Sequence, residues 1–65
     1  MKKYEFQFTG RENGAIGRID NFYHLFVKAE TPHEAKLKLY DTHEHISVKK
    51  CTEYDGTEIK QIEAI

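Results

Sequence analysis

The sequence predicts a small α+β fold: a single helix over about residues 32–43, packed on one face of an antiparallel sheet in the order β-β-α-β with a further β at the C-terminal end. Three observations carry this. Residues 3–9 alternate, with Tyr4, Phe6 and Phe8 on one side and Lys3, Glu5 and Gln7 on the other, the period of a half-buried strand. Thr31-Pro32-His33-Glu34 spells a helix start. Asp55-Gly56 marks a tight hairpin turn near the C-terminal end.

Taken in order, the first strand gives way to a connection over residues 10–21. It holds three of the four glycines, Gly10, Gly14 and Gly17, and an Asn13-Gly14 turn pair, with Ile16 and Ile19 beside Arg11 and Arg18. Part of it is expected to extend the strands as a hairpin arm. Residues 22–29 form the second strand. Tyr23, Leu25, Val27 and Ala29 share one face, with Phe22, His24, Phe26 and Lys28 on the other. Apolar groups on both faces point to a central strand, or to one whose second face meets a partner.

The helix start has a physical basis at each position. Thr31 suits the N-cap, where its hydroxyl accepts a free backbone N–H, and Pro32 suits the first helical position because its missing donor costs nothing there. Glu34 completes a capping box. Ala35, Leu39 and His43 follow at i, i+4 spacing, widened by Leu37 and Tyr40; Lys36 and Lys38 face water, and Glu34 and Lys38 form an i, i+4 pair. Residues 45–54 read as the third strand. Its alternation breaks at Lys49-Lys50, where a bulge or an exposed end is expected. Beyond the turn, residues 57–62 return as a fourth strand or short tail, with Ile59 as the best core candidate.

Length and composition set the bounds. The 65 residues make one domain, too small for a core of ample stability. Such domains lean on disulfides, metals or self-association. Cys51 is the single cysteine, so an intrachain disulfide is excluded, which fits a reducing, cytoplasmic setting and leaves a homodimer open. The start, MKKYEFQF, has no apolar stretch of a signal peptide, and no run approaches the ~20 apolar residues of a membrane span. No membrane role is expected.

Residues able to carry chemistry are few. His43 and His45 flank Glu44 in an H-x-H spacing, but a structural zinc site wants four N or S ligands in paired clusters, and His24 and His33 lie far along the chain. His43 is read instead as a helix C-terminal residue favoured by the dipole. Cys51 near Lys49 and Lys50 lacks an oriented base and reads as a packing residue. Gly14-x-x-Gly17 lacks the strand-turn-helix setting of a phosphate loop. No catalytic residue, cofactor or metal is expected.

The remaining function classes are recognition classes. Ten basic residues against 11 acidic ones give a formal net charge of −1, without the basic surplus of a strong nucleic-acid binder. Nucleic-acid binding would need local clustering of Arg11, Arg18, Lys28, Lys49 and Lys50 around Phe22 or Tyr23 on an open sheet face. The favoured expectation is a protein-binding module that uses the arm and a sheet edge, with Arg11, Ile16, Arg18, Ile19, Lys49 and Lys50 as contact residues. The alternative is a small nucleic-acid-associated or antitoxin-like domain.

The segment Ala29-Glu30-Thr31-x-x-Glu34-Ala35, followed by a strand reaching Cys51, resembles the small host RNA-polymerase inhibitors of enteric podoviruses over residues 24–51. The resemblance implies a strand-helix-strand domain, phage-encoded, that binds and inhibits a host enzyme or defence complex. That family's basic third-strand contacts would fall near Lys49 and Lys50, where it carries arginines. Residues 4–8 and the arm have no counterpart in it.

Overall fold

The computed structural model describes residues 1–17 and 20–63. Strand β1 spans Lys2–Glu12, β2 Asn21–Ala29, helix α1 Pro32–Leu39, β3 His43–Asp55 and β4 Glu58–Ile62. Every strand pairing is antiparallel, and the sheet order is β2-β1-β3-β4. This is the α+β arrangement read from the sequence.

The alternation of β1 decides which face is buried. Tyr4, Phe6 and Phe8 are completely buried and form the core with Ala29, Ala35, Leu39 and Cys51. Tyr23, Leu25, Val27, Ile46, Val48 and Ile62 pack around them. Burial of side chains of this size supplies about 1.5–3 kcal/mol each, which makes this aromatic layer the main stabilising feature of so small a chain.

Helix α1 starts at Pro32 with Thr31 as N-cap, but the capping box is only half formed, because the Glu34 carboxylate meets the Thr31 hydroxyl at 3.5 Å and not its N–H. Thr31 is extended, and its Oγ1 accepts the Glu34 N–H at 3.1 Å. Ala35 and Leu39 are its buried residues. It ends earlier than expected, at Leu39. The Asn13 side chain donates to the carbonyls of Tyr40 and Asp41 at 3.3 and 3.2 Å, and the Asn13 N–H donates to Thr42 O at 2.9 Å. These long-range bonds satisfy carbonyls that another helical turn would have used. His43 is therefore the first residue of β3, not the last of a helix. It is buried, with its ring edge-on to Phe8 and Tyr23 and its Nδ1 2.7 Å from Thr42 Oγ1. Lys38 does not pair with Glu34: its Nζ donates to Lys28 O at 2.6 Å, tying the helix to β2. Leu37 and Tyr40 stay exposed.

The β1–β3 ladder slips twice. Gln7 lies opposite Lys50 and Phe8 opposite Val48, so Lys49 is the extra residue of a bulge where the alternation breaks in the sequence. A second shift falls between Thr9 and Arg11, beside His45, whose φ is 57°. Gly10 sits against this second irregularity. A Cβ there would lie 2.9 Å from Glu44 O, so the strands approach too closely for any side chain.

Two other expectations are corrected by the sheet order. β2 is an edge strand, because β1 lies between it and β3. Its second apolar face is not buried by neighbours: Phe22 and Phe26 are 60% and 55% exposed. Ile59 is 69% exposed, and Ile62 supplies the core contact from β4. The hairpin loop consists of Gly56, at φ 63°, and Thr57, since Asp55 pairs with Glu58. That register sets Ile59 opposite Tyr54 and Ile62 opposite Cys51.

Candidate functional site

The helix covers one face of the sheet, and the other is open. The registers place four rows across this open face, running from β2 to β4. Lys28, Lys3, Tyr54 and Ile59 make one row, and Phe26, Glu5, Thr52 and Gln61 the next. His24, Gln7 and Lys50 follow, then Phe22, Thr9 and Ser47. The Lys49 bulge adds a further lysine. A bulge interrupts strict alternation, so two consecutive residues can project to one side. Val48 and Cys51 point to the core, and the two lysines between them project outward, with Lys49 Nζ donating to Ser47 Oγ at 3.3 Å.

This face segregates charge that the whole chain balances. Its strand rows carry Lys3, Lys28, Lys50 and the bulge Lys49 against one carboxylate, Glu5, and a second, Glu63 just past β4, lines the depression beside Lys49 and Lys50. Among the described residues, none of these four lysines forms an ion pair. Glu5 is already occupied. It accepts from the Tyr54 hydroxyl at 2.7 Å and meets His24 Nε2 through its other oxygen. The Tyr54 bond, followed by the His24 contact, holds the Glu5 carboxyl below its ordinary range, and Glu5 in turn raises the Tyr54 hydroxyl.

The aromatic groups are set among these charges. Lys3 Nζ lies 5.0 Å from the Phe26 ring centroid and 5.9 Å from that of Tyr54, within the range of cation–π attraction. The His24 and Phe26 rings are 5.4 Å apart. Phe22 stands at the far end of the same strand face. Tyr23, offered above as a partner of Phe22, is on the opposite face, stacked on Phe8 at 5.4 Å.

The arm is braced at its root. Arg11 Nη2 lies 2.7 Å from Glu44 Oε2, and Nε donates to the same oxygen at 2.9 Å. Arg11 also donates to Gly17 O at 3.2 Å, and the Gly14 N–H donates to the other Glu44 oxygen at 3.3 Å. The arginine, with the Gly14 bond, keeps the Glu44 carboxyl below its ordinary range. Arg11 thus acts within the fold, holding the connection against β3. Ile16 is fully exposed. Arg18 and Ile19 lie outside the described residues. The six contact residues proposed from the sequence are not brought together as one patch: Lys49 and Lys50 belong to the open face, whereas Arg11 and Ile16 belong to the arm.

Cys51, His43 and His45 are engaged in the core or at the root of the arm. Cys51 is buried, and burial pushes its thiol up to about 11, the opposite of an activated nucleophile. A shallow depression of about 380 Å³ beside it is lined by Lys49, Lys50, Gln61 and Glu63, with no histidine. His43 packs in the core while His45 contacts Arg11 at 3.2 Å. Among the described residues, no three His, Cys, Asp or Glu side chains gather as metal ligands. No helix among them is long and apolar enough to cross a membrane.

No family model, curated protein or solved structure matches the chain. The open face is therefore characterised by its own residues. Sequence reading singled out Lys28, Lys49, Lys50 and Phe22 for such a face, and missed Lys3, His24, Phe26 and Tyr54. Their polar and aromatic alternation was the available signal; the strand order that makes them neighbours was not.

Proposed function

We propose that this chain is a non-catalytic recognition domain whose working surface is the open face of its sheet. One observation carries the reading: Phe22, Phe26 and Tyr54 stand on a face the helix leaves uncovered, among four lysines that form no ion pair among the described residues. A solvated face meant only to keep the domain soluble would mix both signs and avoid large rings. Here the acidic groups lie mostly elsewhere, and two phenylalanines are held in water by the sheet register.

A second reading concerns the arm. Ile16 is fully exposed on a connection pinned by Arg11 and Glu44, which suits a protein contact of the kind an inhibitor of a host enzyme would make. A photoreactive amino acid placed at His24, Ile16 or Leu37 in expressing cells separates these readings. Adducts formed from position 24 and absent from 37 support the open face. Adducts from position 16 alone would replace it with the arm, and equal labelling from all three positions would contradict both.

A further inference from the structure

We propose that the open face binds single-stranded nucleic acid, with bases stacked on Phe26, Tyr54 and Phe22 and phosphates held by Lys3, Lys28, Lys49 and Lys50. This rests on the open face being the working surface and adds the chemistry of its partner.

The ligand class follows from what the face offers together. Four unpaired lysines call for a ligand with several negative charges, and exposed rings call for flat apolar groups spaced along it. A single strand of nucleic acid supplies both, alternating phosphate and base, and aromatic side chains on a sheet are a general platform for unpaired bases. A duplex hides its base faces in the stack and would leave the rings unused. An acidic peptide would satisfy the lysines but not the rings.

The spacing suits this ligand. Phe26 on β2 and Tyr54 on β3 are separated by one strand, hence by about 10 Å across the sheet. Lys3 rises between them, near both rings. Phe22 is four residues from Phe26 along β2, about 13 Å at strand rise. Lys28 flanks Lys3 at one end of this track, and Lys49 and Lys50 lie towards the other. Glu5 would repel a phosphate, but its oxygens are already turned to Tyr54 and His24.

Fluorescence anisotropy with labelled oligo(dT), oligo(rU) and a mixed-sequence duplex, each of about twelve nucleotides per strand, tests this on the full chain; that length spans an ordinary single-strand site. Both single strands, or one of them, should bind at least tenfold more tightly than the duplex; a preference between the two identifies DNA or RNA as the ligand. Four phosphate contacts at about 0.7 counterions each predict a roughly fiftyfold loss from about 50 to 200 mM salt. Phe22→Ala and Phe26→Ala should each weaken binding about tenfold, because stacking on an aromatic side chain is sequence-tolerant and individually strong. Lys28→Gln/Lys50→Gln should halve the salt slope, and Lys36→Gln/Lys60→Gln, which removes the same charge off the face, should not.

Absence of saturable binding at low salt would overturn the proposal. So would equal affinity for duplex and single strand, or equal losses from the two lysine pairs. If oligonucleotides fail while the photoreactive group at position 24 still captures a protein, the nucleic-acid inference falls and the open-face reading stands. If position 24 captures nothing, the open-face reading falls with it.

Discussion

Gly10→Ala should destabilise the domain, and the structure sets the size of the effect. Gly10 lies in β1, and its φ is not in the left-handed region, so backbone conformation does not demand glycine there. On those grounds alone, alanine would help by about 0.4–1 kcal/mol through a less flexible unfolded chain. Space decides the sign. The new methyl carbon would lie 2.9 Å from Glu44 O and 3.4 Å from His45 O, and both are backbone atoms of β3 that cannot swing aside. Relief requires the two central strands to part at the second irregularity, and overpacking of this kind costs about 1–3 kcal/mol. The net loss is therefore about 1–2 kcal/mol, in a chain whose whole stability is of order 3–10 kcal/mol. Urea unfolding should show a lower midpoint at unchanged slope, and the melting temperature should fall by about 5–15 °C. Alanine equal to or more stable than glycine would refute the close approach of β1 and β3, and with it the register that positions Arg11 against Glu44.

Three further outcomes are expected. Thr31→Ala should lose about 1 kcal/mol with its N-cap bond, whereas Lys36→Ala should be near neutral in the same melts. Glu5, Glu44 and Glu53 all have carboxyls held below their ordinary 4.5 in the fold, so the stability they contribute is complete above that pH. It is lost as pH falls through their folded values, so melting followed by circular dichroism should be level from neutral pH to about 5 and decline below 4.5. Cys51 is raised above its ordinary 9.0 and Tyr4 and Tyr54 above their ordinary 10.0, so stability should also be lost as pH rises beyond 9. Added zinc, or a chelator, should leave the melting temperature unchanged; a saturable rise abolished by His43→Ala/His45→Ala would reveal a metal site.

The local features of this fold were legible where one residue type answers one local demand. Thr31 and Pro32 announce the helix because capping involves only neighbours in sequence. The aromatic alternation of β1 announces its buried face. Even the Lys49-Lys50 interruption marks the bulge, because two lysines cannot both follow the strand alternation beside a core Val48 and Cys51. What failed depends on partners far along the chain. Leu39 and His43 share helical spacing, but Asn13 reaches from the arm to bind the chain at Tyr40 and Asp41. Phe22 and Phe26 looked like a second buried face, but the single helix packs on the Tyr4, Phe6 and Phe8 side and leaves theirs uncovered. Ile59 and Ile62 are equally apolar in sequence; the Gly56-Thr57 loop sends the first to the open face and the second to the core. The open face was missed as a unit for the same reason: its members come from four strands, and net charge conceals how the lysines and carboxylates are divided between the faces.

Differential acetylation of lysines, read by mass spectrometry with and without bound oligonucleotide, locates the binding surface residue by residue. Each lysine reports its own position on the fold. Binding on the open face should protect Lys3, Lys28, Lys49 and Lys50 together, while Lys36 on the helix and Lys60 on β4 keep their reactivity. Protection spread evenly over all lysines, or centred on Lys36 and Lys60, would contradict it.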